Sequence, residues 1–488
     1  MNQVLVQDVV AEVMRRLQRA DRPHATPAGA PRPALGESAK RQAATDASGR
    51  FGVFSKIDDA VAAATESQKQ LLRLSLDDRD AIVKLIKSIA KQNAREWGRL
   101  ELDETKIGRL DHKVEKLEIL DRVPGVEFLR THADSGTHGL TIEEFAPFGV
   151  VGVITPVTHS IPTLTSNAIA MIASGNSLVV NAHPTGANCA ATALRAYNGA
   201  IAQRFGIEHL IACVHPPTLR TAEELFRAKG ISLLVVTGGA GVARAALESK
   251  KRAIVAGPGN PPVVVDETAC LKNAADAIVK GAAYDNNLLC IGEKQVFCVA
   301  GVFEKLIEEM RKHGAFVLNS SQIDALTKQA FEVDAKRDKV TLNKDLVGRD
   351  ARVLAETIGL RVPSTTQILI GETGADHLFV REEQMMPFVP FVRVRDVDEA
   401  ISLAVESEHG FRHTAVIHSR NLDTITRFGR ESNVTLYVVN GPSMAGLGLG
   451  GQGYLSYSIA TPTGEGVTTP LTFTRFRRVT MTNTMRVI

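Results

Sequence analysis

Aromatic residues make up only 5% of this 488-residue chain, with a single Trp. Stacking platforms for single-stranded nucleic acid are therefore not expected. Charge of one sign is lacking too: 57 Lys plus Arg stand against 54 Asp plus Glu, a formal net charge of +3. Such a balance makes no case for nucleic acid as a partner. Cysteine is scarce, and the five present (Cys189, Cys213, Cys270, Cys290 and Cys298) form an odd set without a CxxC pair. Neither a zinc site nor a disulfide framework is indicated, no metal is expected, and a reducing cytoplasm fits. No apolar run reaches membrane-spanning length, and Asp8 and Glu12 interrupt any signal-peptide core. What is there is 44% hydrophobic and 23% charged, a soluble globular composition with length enough for two or three domains.

Val6, Val9, Val10, Val13 and Leu17 recur at helical spacing, so residues 1–20 read as a short amphipathic helix. Residues 21–48 carry Pro23, Pro27, Pro31 and Pro33 among small polar residues and read as a flexible linker. The stripe needs a cover, either the chain's own body or a groove on another protein. It lacks Trp and Phe, which argues against a membrane surface.

From Phe51 to about Val123 the pattern is helical, with Ser75 as an N-cap. Lys106, Arg109, Lys113 and Lys116 read there as an exposed charged face without a role. Beyond Phe145, strands alternate with helices, which predicts a parallel sheet covered on both faces and then a second α/β section. Gly238-Gly239-Ala240-Gly241 follows a strand and opens a helix, as a phosphate-binding turn does, or an ordinary tight βα turn. Gly446 to Gly451 reads as a mobile loop at a ligand mouth or as a connector. The tail, residues 468–488, is expected to pair with residues 135–145 as a two-stranded arm, which another subunit would cover.

Cys290 lies in Asp285-Asn286-Asn287-Leu288-Leu289-Cys290-Ile291-Gly292-Glu293-Lys294. A Cys in a polar turn beside a Lys is a candidate thiolate nucleophile, against the alternative of a small buried hydrophobe.

Taken in order, the segments from Phe51 to the C-terminus resemble the aldehyde dehydrogenase superfamily. The residues carrying this are Phe148-Gly149-Val150-Val151-Gly152-Val153-Ile154-Thr155-Pro156, Gly175-Asn176-Ser177-Leu178-Val179-Val180, Thr237-Gly238-Gly239, Cys290 and Glu383-Gln384-Met385-Met386-Pro387. The resemblance implies a Rossmann-like NAD-binding domain (residues 49–254, with an arm strand near 130–146) and an α/β catalytic domain (255–440). It further implies a return to the cofactor domain (441–467) and an oligomerisation arm (468–488) that builds a homodimer or tetramer. It assigns Cys290 as nucleophile, and Thr158 or His159 as the group beside the oxyanion. Thr155, Pro156, Asn181, His183, Pro184, Gly238, Gly239 and Glu383 fall at its cofactor positions.

The departures are as informative. Where hydrolytic members carry a water-activating Glu, this chain has Val255; where they carry a ribose-binding Lys and a Glu, it has Asn181 and Pro184. Without that base a thioester on Cys290 should hydrolyse slowly. The pattern resembles the CoA-acylating branch, in which coenzyme A takes the acyl group from a small, propionaldehyde-like substrate. The N-terminal extension resembles the encapsulation peptides of bacterial microcompartment enzymes, which implies shell proteins as partners and a cytoplasmic compartment as location. His183 either faces a phosphate or is a surface His, and Glu293 is a candidate for proton transfer. Two other outcomes remain within the superfamily: release of the free acid, and reduction of an acyl phosphate.

Overall fold

The computed structural model describes residues 49–334 and 339–485. The expected helix of residues 1–20 and linker of residues 21–48 lie outside the described residues. A short strand, β1 (Val53–Phe54), precedes four helices, Ile57–Leu71, Leu76–Gln92, Ala94–Thr105 and Leu110–Glu118. The second starts as expected at Ser75, whose Oγ accepts the Asp78 N–H at 3.1 Å while the Asp78 carboxylate accepts the Ser75 N–H at 3.1 Å. Such a capping box contributes about 1 kcal/mol.

The chain then makes β2 (His132–Gly136), β3 (Gly139–Pro147), β4 (Val150–Thr155), β5 (Ser177–Ala182), β6 (Ile211–Val214), β7 (Ile231–Thr237) and β8 (Ala253–Ala256). β1 and five of these strands form a parallel sheet in the order β1-β6-β5-β4-β7-β8. β4, β5 and β6 are buried along their whole length, which is why they read as unbroken apolar runs and not as alternation. Strand order reverses beside β4: the chain moves outward through β5 and β6, then returns to β7 on the other side of β4.

The second section contains β9 (Pro262–Val265), β10 (Gln295–Val299), β11 (Ala315–Val317), β12 (Phe331–Asp334), β13 (Lys339–Leu342), β14 (Ile368–Thr373), β15 (Phe388–Val394), β16 (Thr414–His418) and β17 (Leu436–Val439). Seven of them form a parallel sheet ordered β11-β14-β15-β10-β9-β16-β17, and β12 and β13 pair apart from it. The change from one sheet to the other falls in the loop between Ala256 and Pro262. β18 (Ile459–Ala460) and β19 (Gly466–Val467) make a small pair, and β20 (Thr474–Thr482) ends the described fold.

β20 runs antiparallel to β3 from Thr474 opposite Pro147 to Thr482 opposite Gly139. The expected pairing is present, but the arm has three strands, because β2 folds back onto the other edge of β3 through a tight turn ending at Gly139 (φ +124°). A Cβ there would stand 2.0 Å from the Met481 carbonyl oxygen, so only glycine fits.

Candidate active site

The carboxyl ends of β5, β4 and β7 lie side by side, with Thr155 opposite Ala182 and Ile154 opposite Val236. Open parallel sheets bind ligands at this edge, where strand order reverses. Thr155 ends β4; its Oγ1 is buried without a hydrogen-bond partner. Gly238 and Gly239 follow β7 and have nothing within 4 Å of where a Cβ would stand. Gly239 is also the N-cap of the helix Ala240–Glu248. An open glycine turn at a helix start, beside an unpaired hydroxyl, suits a phosphate-bearing ligand. Half-buried Pro156 continues from Thr155. Asn181 is buried at the end of β5, and its Oδ1 accepts the Thr221 hydroxyl at 2.6 Å, which ties the strand to the capping box of the helix Leu219–Arg227. His183 and Pro184 are exposed on the next turn, and His183 Nδ1 lies 2.7 Å from the Thr185 Oγ1.

The second sheet offers its opposite edge. Gly259, Cys290, Glu383 and His413 each lie a few residues before β9, β10, β15 and β16, which are adjacent in the order β15-β10-β9-β16. Parallel neighbours therefore bring four sequence-distant loops to one place. Cys290 is half-buried there. Three consecutive left-handed residues approach it, Asp285 (φ 48°), Asn286 (57°) and Asn287 (64°). Asp and Asn tolerate that conformation better than other residues with side chains. The Asn287 amide donates to the carbonyls of Ala282 (3.0 Å) and Glu293 (2.9 Å), closing the loop around the cysteine.

The expected thiolate is not the resting state. Burial, reinforced by the Glu383 carboxylate, pushes the Cys290 thiol up to about 12. Lys294 and the N–H groups of Cys290 and Ile291 pull the other way without prevailing. The Lys294 ammonium is spent on Asn287, 2.8 Å from its carbonyl and 2.5 Å from its Oδ1. The sulfur thus waits as a thiol for a change in its surroundings.

Glu383 accepts the Gly259 N–H, and burial raises it above the ordinary carboxylate value. Gly259 is a packing point: a Cβ on it would stand 2.3 Å from the Cys290 carbonyl oxygen and 3.0 Å from the His413 ring. His413 is fully buried, with Nδ1 at 2.9 Å from the Thr414 hydroxyl and Nε2 without a partner. Burial lowers it to about 4, so the ring is neutral at pH 7. Nothing local in the sequence marks His413, which looks like one more residue leading into an apolar strand.

Thr158 and His159 stand on the turn between β4 and the helix Ser160–Ala173, the Thr158 hydroxyl 3.5 Å from His159 Nε2. His159 is buried against the Tyr457 ring, and burial, then Lys116, holds it well below the ordinary histidine value. One expectation fails nearby, and one candidate group has other partners. Lys113 and Lys116 are not exposed but 1% and 0% accessible, because both ammonium groups find buried acids and the Thr158 carbonyl. Glu293 does not face Cys290 with a free carboxylate; its oxygens accept the Ser443 N–H (2.7 Å) and hydroxyl (2.8 Å). That contact anchors the turn Ser443–Leu447, so the start of the glycine-rich segment is fixed to the loop carrying Cys290. Val255 is 1% exposed in β8 and packs among Ile154, Val236 and Ala246, an apolar cluster with no carboxylate to offer.

Comparison with known proteins places this geometry. The aldehyde dehydrogenase family model matches residues 50–454. The acetaldehyde dehydrogenase (acetylating) EutE of Salmonella typhimurium is 44% identical over 440 residues, 90% of this chain and 94% of that protein. The structure of Rhodopseudomonas palustris propionaldehyde dehydrogenase with bound propionyl-CoA superposes with a TM-score of 0.86 at 38% identity, over 90% of this chain and 97% of that one. A propionaldehyde dehydrogenase from the Clostridium phytofermentans fucose utilisation bacterial microcompartment gives 0.87 at 38%, over 90% and 100%. The glycine turn after β7, the half-buried Cys290 and the extent of these matches agree, and the chain belongs to the aldehyde dehydrogenase family.

Proposed function

We propose that this chain is a CoA-acylating aldehyde dehydrogenase, converting a short aliphatic aldehyde, coenzyme A and NAD+ into an acyl-CoA and NADH. The observation that carries the CoA-acylating reading is Val255. It lies in an apolar cluster at the strand position where hydrolytic relatives would aim a carboxylate at water. An acetylating relative and a neighbour with bound propionyl-CoA support it.

Cys290 sulfur forms a bond to the aldehyde carbon, the carbonyl π electrons move to the oxygen, and the thiol proton passes to solvent at the half-buried sulfur. The developing oxyanion meets the Cys290 N–H and the Thr158–His159 turn. Thr155, Pro156, Asn181, His183, Pro184, Gly238 and Gly239 would hold the dinucleotide along the first sheet's edge, with Glu383 on its nicotinamide ribose. When bound, the dinucleotide supplies the hydride acceptor. The acyl group is left as a thioester on Cys290. The CoA thiol then attacks that thioester and Cys290 departs. Neutral His413, with Nε2 unpaired beside the Cys290 loop, is placed to take the CoA proton.

The three-stranded arm carries Phe476, 75% exposed, and Val479, 45% exposed. A second copy of the chain covers them in a homodimer or tetramer. Residues 1–20 dock on shell proteins, which puts the enzyme inside a bacterial microcompartment. A fusion of residues 1–20 to a fluorescent protein should gather at shells, and a diffuse signal would refute this.

The central test is NADH formation over a series of short aldehydes with and without CoA. Turnover should require CoA, and Cys290→Ala should abolish it, by about 10³-fold or more. CoA-independent acid formation at the same rate, or an active Cys290→Ala enzyme, would overturn the scheme.

A further inference from the structure

Two lysines in the interior of a protein demand an explanation, because each ammonium loses its water on burial. Lys113 and Lys116 are three residues apart and so share one face of the helix Leu110–Glu118. Lys113 Nζ lies 2.9 Å from Glu101 Oε1. The other Glu101 oxygen accepts the Ile161 N–H at 2.9 Å, in the first turn of the helix Ser160–Ala173. Lys116 pairs with Asp285 Oδ2, while Asp285 Oδ1 accepts the Arg109 N–H at 2.7 Å. Both ammonium groups also donate to the Thr158 carbonyl, at 3.5 and 3.4 Å.

We propose that Lys113 and Lys116 are positioning residues that lock the loop carrying Cys290 to the turn carrying Thr158 and His159. Asp285 opens the left-handed run that ends at Asn287, three residues before Cys290, and Thr158 lies on the opposite sheet's edge. The lysine pair is the physical link between them. Buried ion pairs are weak devices for stability, since apolar residues of similar volume do as well. Their gain here is geometry, two backbone segments fixed across the point where aldehyde carbon meets sulfur. Two cations on one carbonyl also polarise the Thr158–His159 peptide and strengthen its N–H as a donor. This rests on Cys290 as the nucleophile.

The test uses the full-length enzyme. Lys116→Met with Asp285→Asn removes one charge pair and leaves no unpaired charge. Folding should survive, with Tm within a few degrees of the parent. The kcat for acyl-CoA formation should fall about tenfold or more, with the KM for CoA within about threefold, and the pH profile of Cys290 alkylation by iodoacetamide should shift. Lys113→Met with Glu101→Gln gives the same readouts if the first pair fails to fold. Parental kcat and alkylation profile in either folded variant would overturn the proposal, and so would failure of both to fold, which would make the brace purely structural. Cys290→Ala separates the two readings. If it is active, the nucleophile assignment falls; if it is dead while the lysine variants work normally, only the brace falls.

Discussion

At the scale of single residues, the site is governed by burial more than by formal charge. Cys290 beside Lys294 looked from the sequence like a held thiolate, yet the lysine is committed to Asn287 and the thiol is pushed up to about 12. Glu293 is the clearest titrating group. Burial raises it from 4.5 to about 7, the Ser443 contacts opposing. The folded chain therefore binds this proton more tightly than the unfolded one. Stability tied to it is full below about pH 4.5 and is lost as pH rises through about 7, a difference of about 3 kcal/mol. Glu293→Gln should match the parent near pH 5 and unfold at a higher temperature above pH 7.5. Parallel melting curves for the two proteins across that range would contradict this. Cys290 was legible because its surroundings are local in sequence. Lys113 and Lys116 were not, since the Lys116 partner Asp285 is 169 residues away and no helical pattern announces it.

At the scale of elements, the site is a property of strand order. Gly259, Cys290, Glu383 and His413 meet because β9, β10, β15 and β16 are neighbours in one parallel sheet. Gly259 sets how closely two of these loops approach, as a Cβ would stand 2.3 Å from the Cys290 carbonyl oxygen. Gly259→Ala should cost about 10²-fold in kcat by displacing the proposed nucleophile Cys290, while Tm falls by only a few degrees. Wild-type turnover from that variant would show that the loop has slack. The alternation of strands and helices from β4 onward was readable, since apolar runs bounded by glycine and proline mark buried parallel strands. Short strands leave no such mark: β1 has two residues and β8 four, and neither is long enough to show a period. The arm's third strand escaped for a different reason. His132–Gly136 is exposed throughout, so no burial pattern distinguishes it from a loop.

At the scale of the whole molecule, the exposed arm is what the isolated chain leaves uncovered. Phe476 meets the Phe145 ring at a tilt, centroids 5.3 Å apart, and is 75% exposed. If the proposed second copy covers the arm, Phe476→Glu should shift the enzyme to a smaller assembly in light scattering, because a charge would then have to be buried at that interface. An unchanged mass would mean that the arm lies outside the interface. The sequence by itself determined the family and the α/β class. It also marked Cys290 as the candidate nucleophile and put Val255, not a carboxylate, in β8, because these are matters of residue type at fixed local spacing. Only the tertiary structure decided that Lys113 and Lys116 are interior, that His413 lies beside the Cys290 loop, that Glu293 serves Ser443 and that burial pushes the Cys290 thiol up. Each depends on solvent exclusion and on contacts between segments far apart in the chain. Neither hydrophobic period nor motif spacing encodes those quantities.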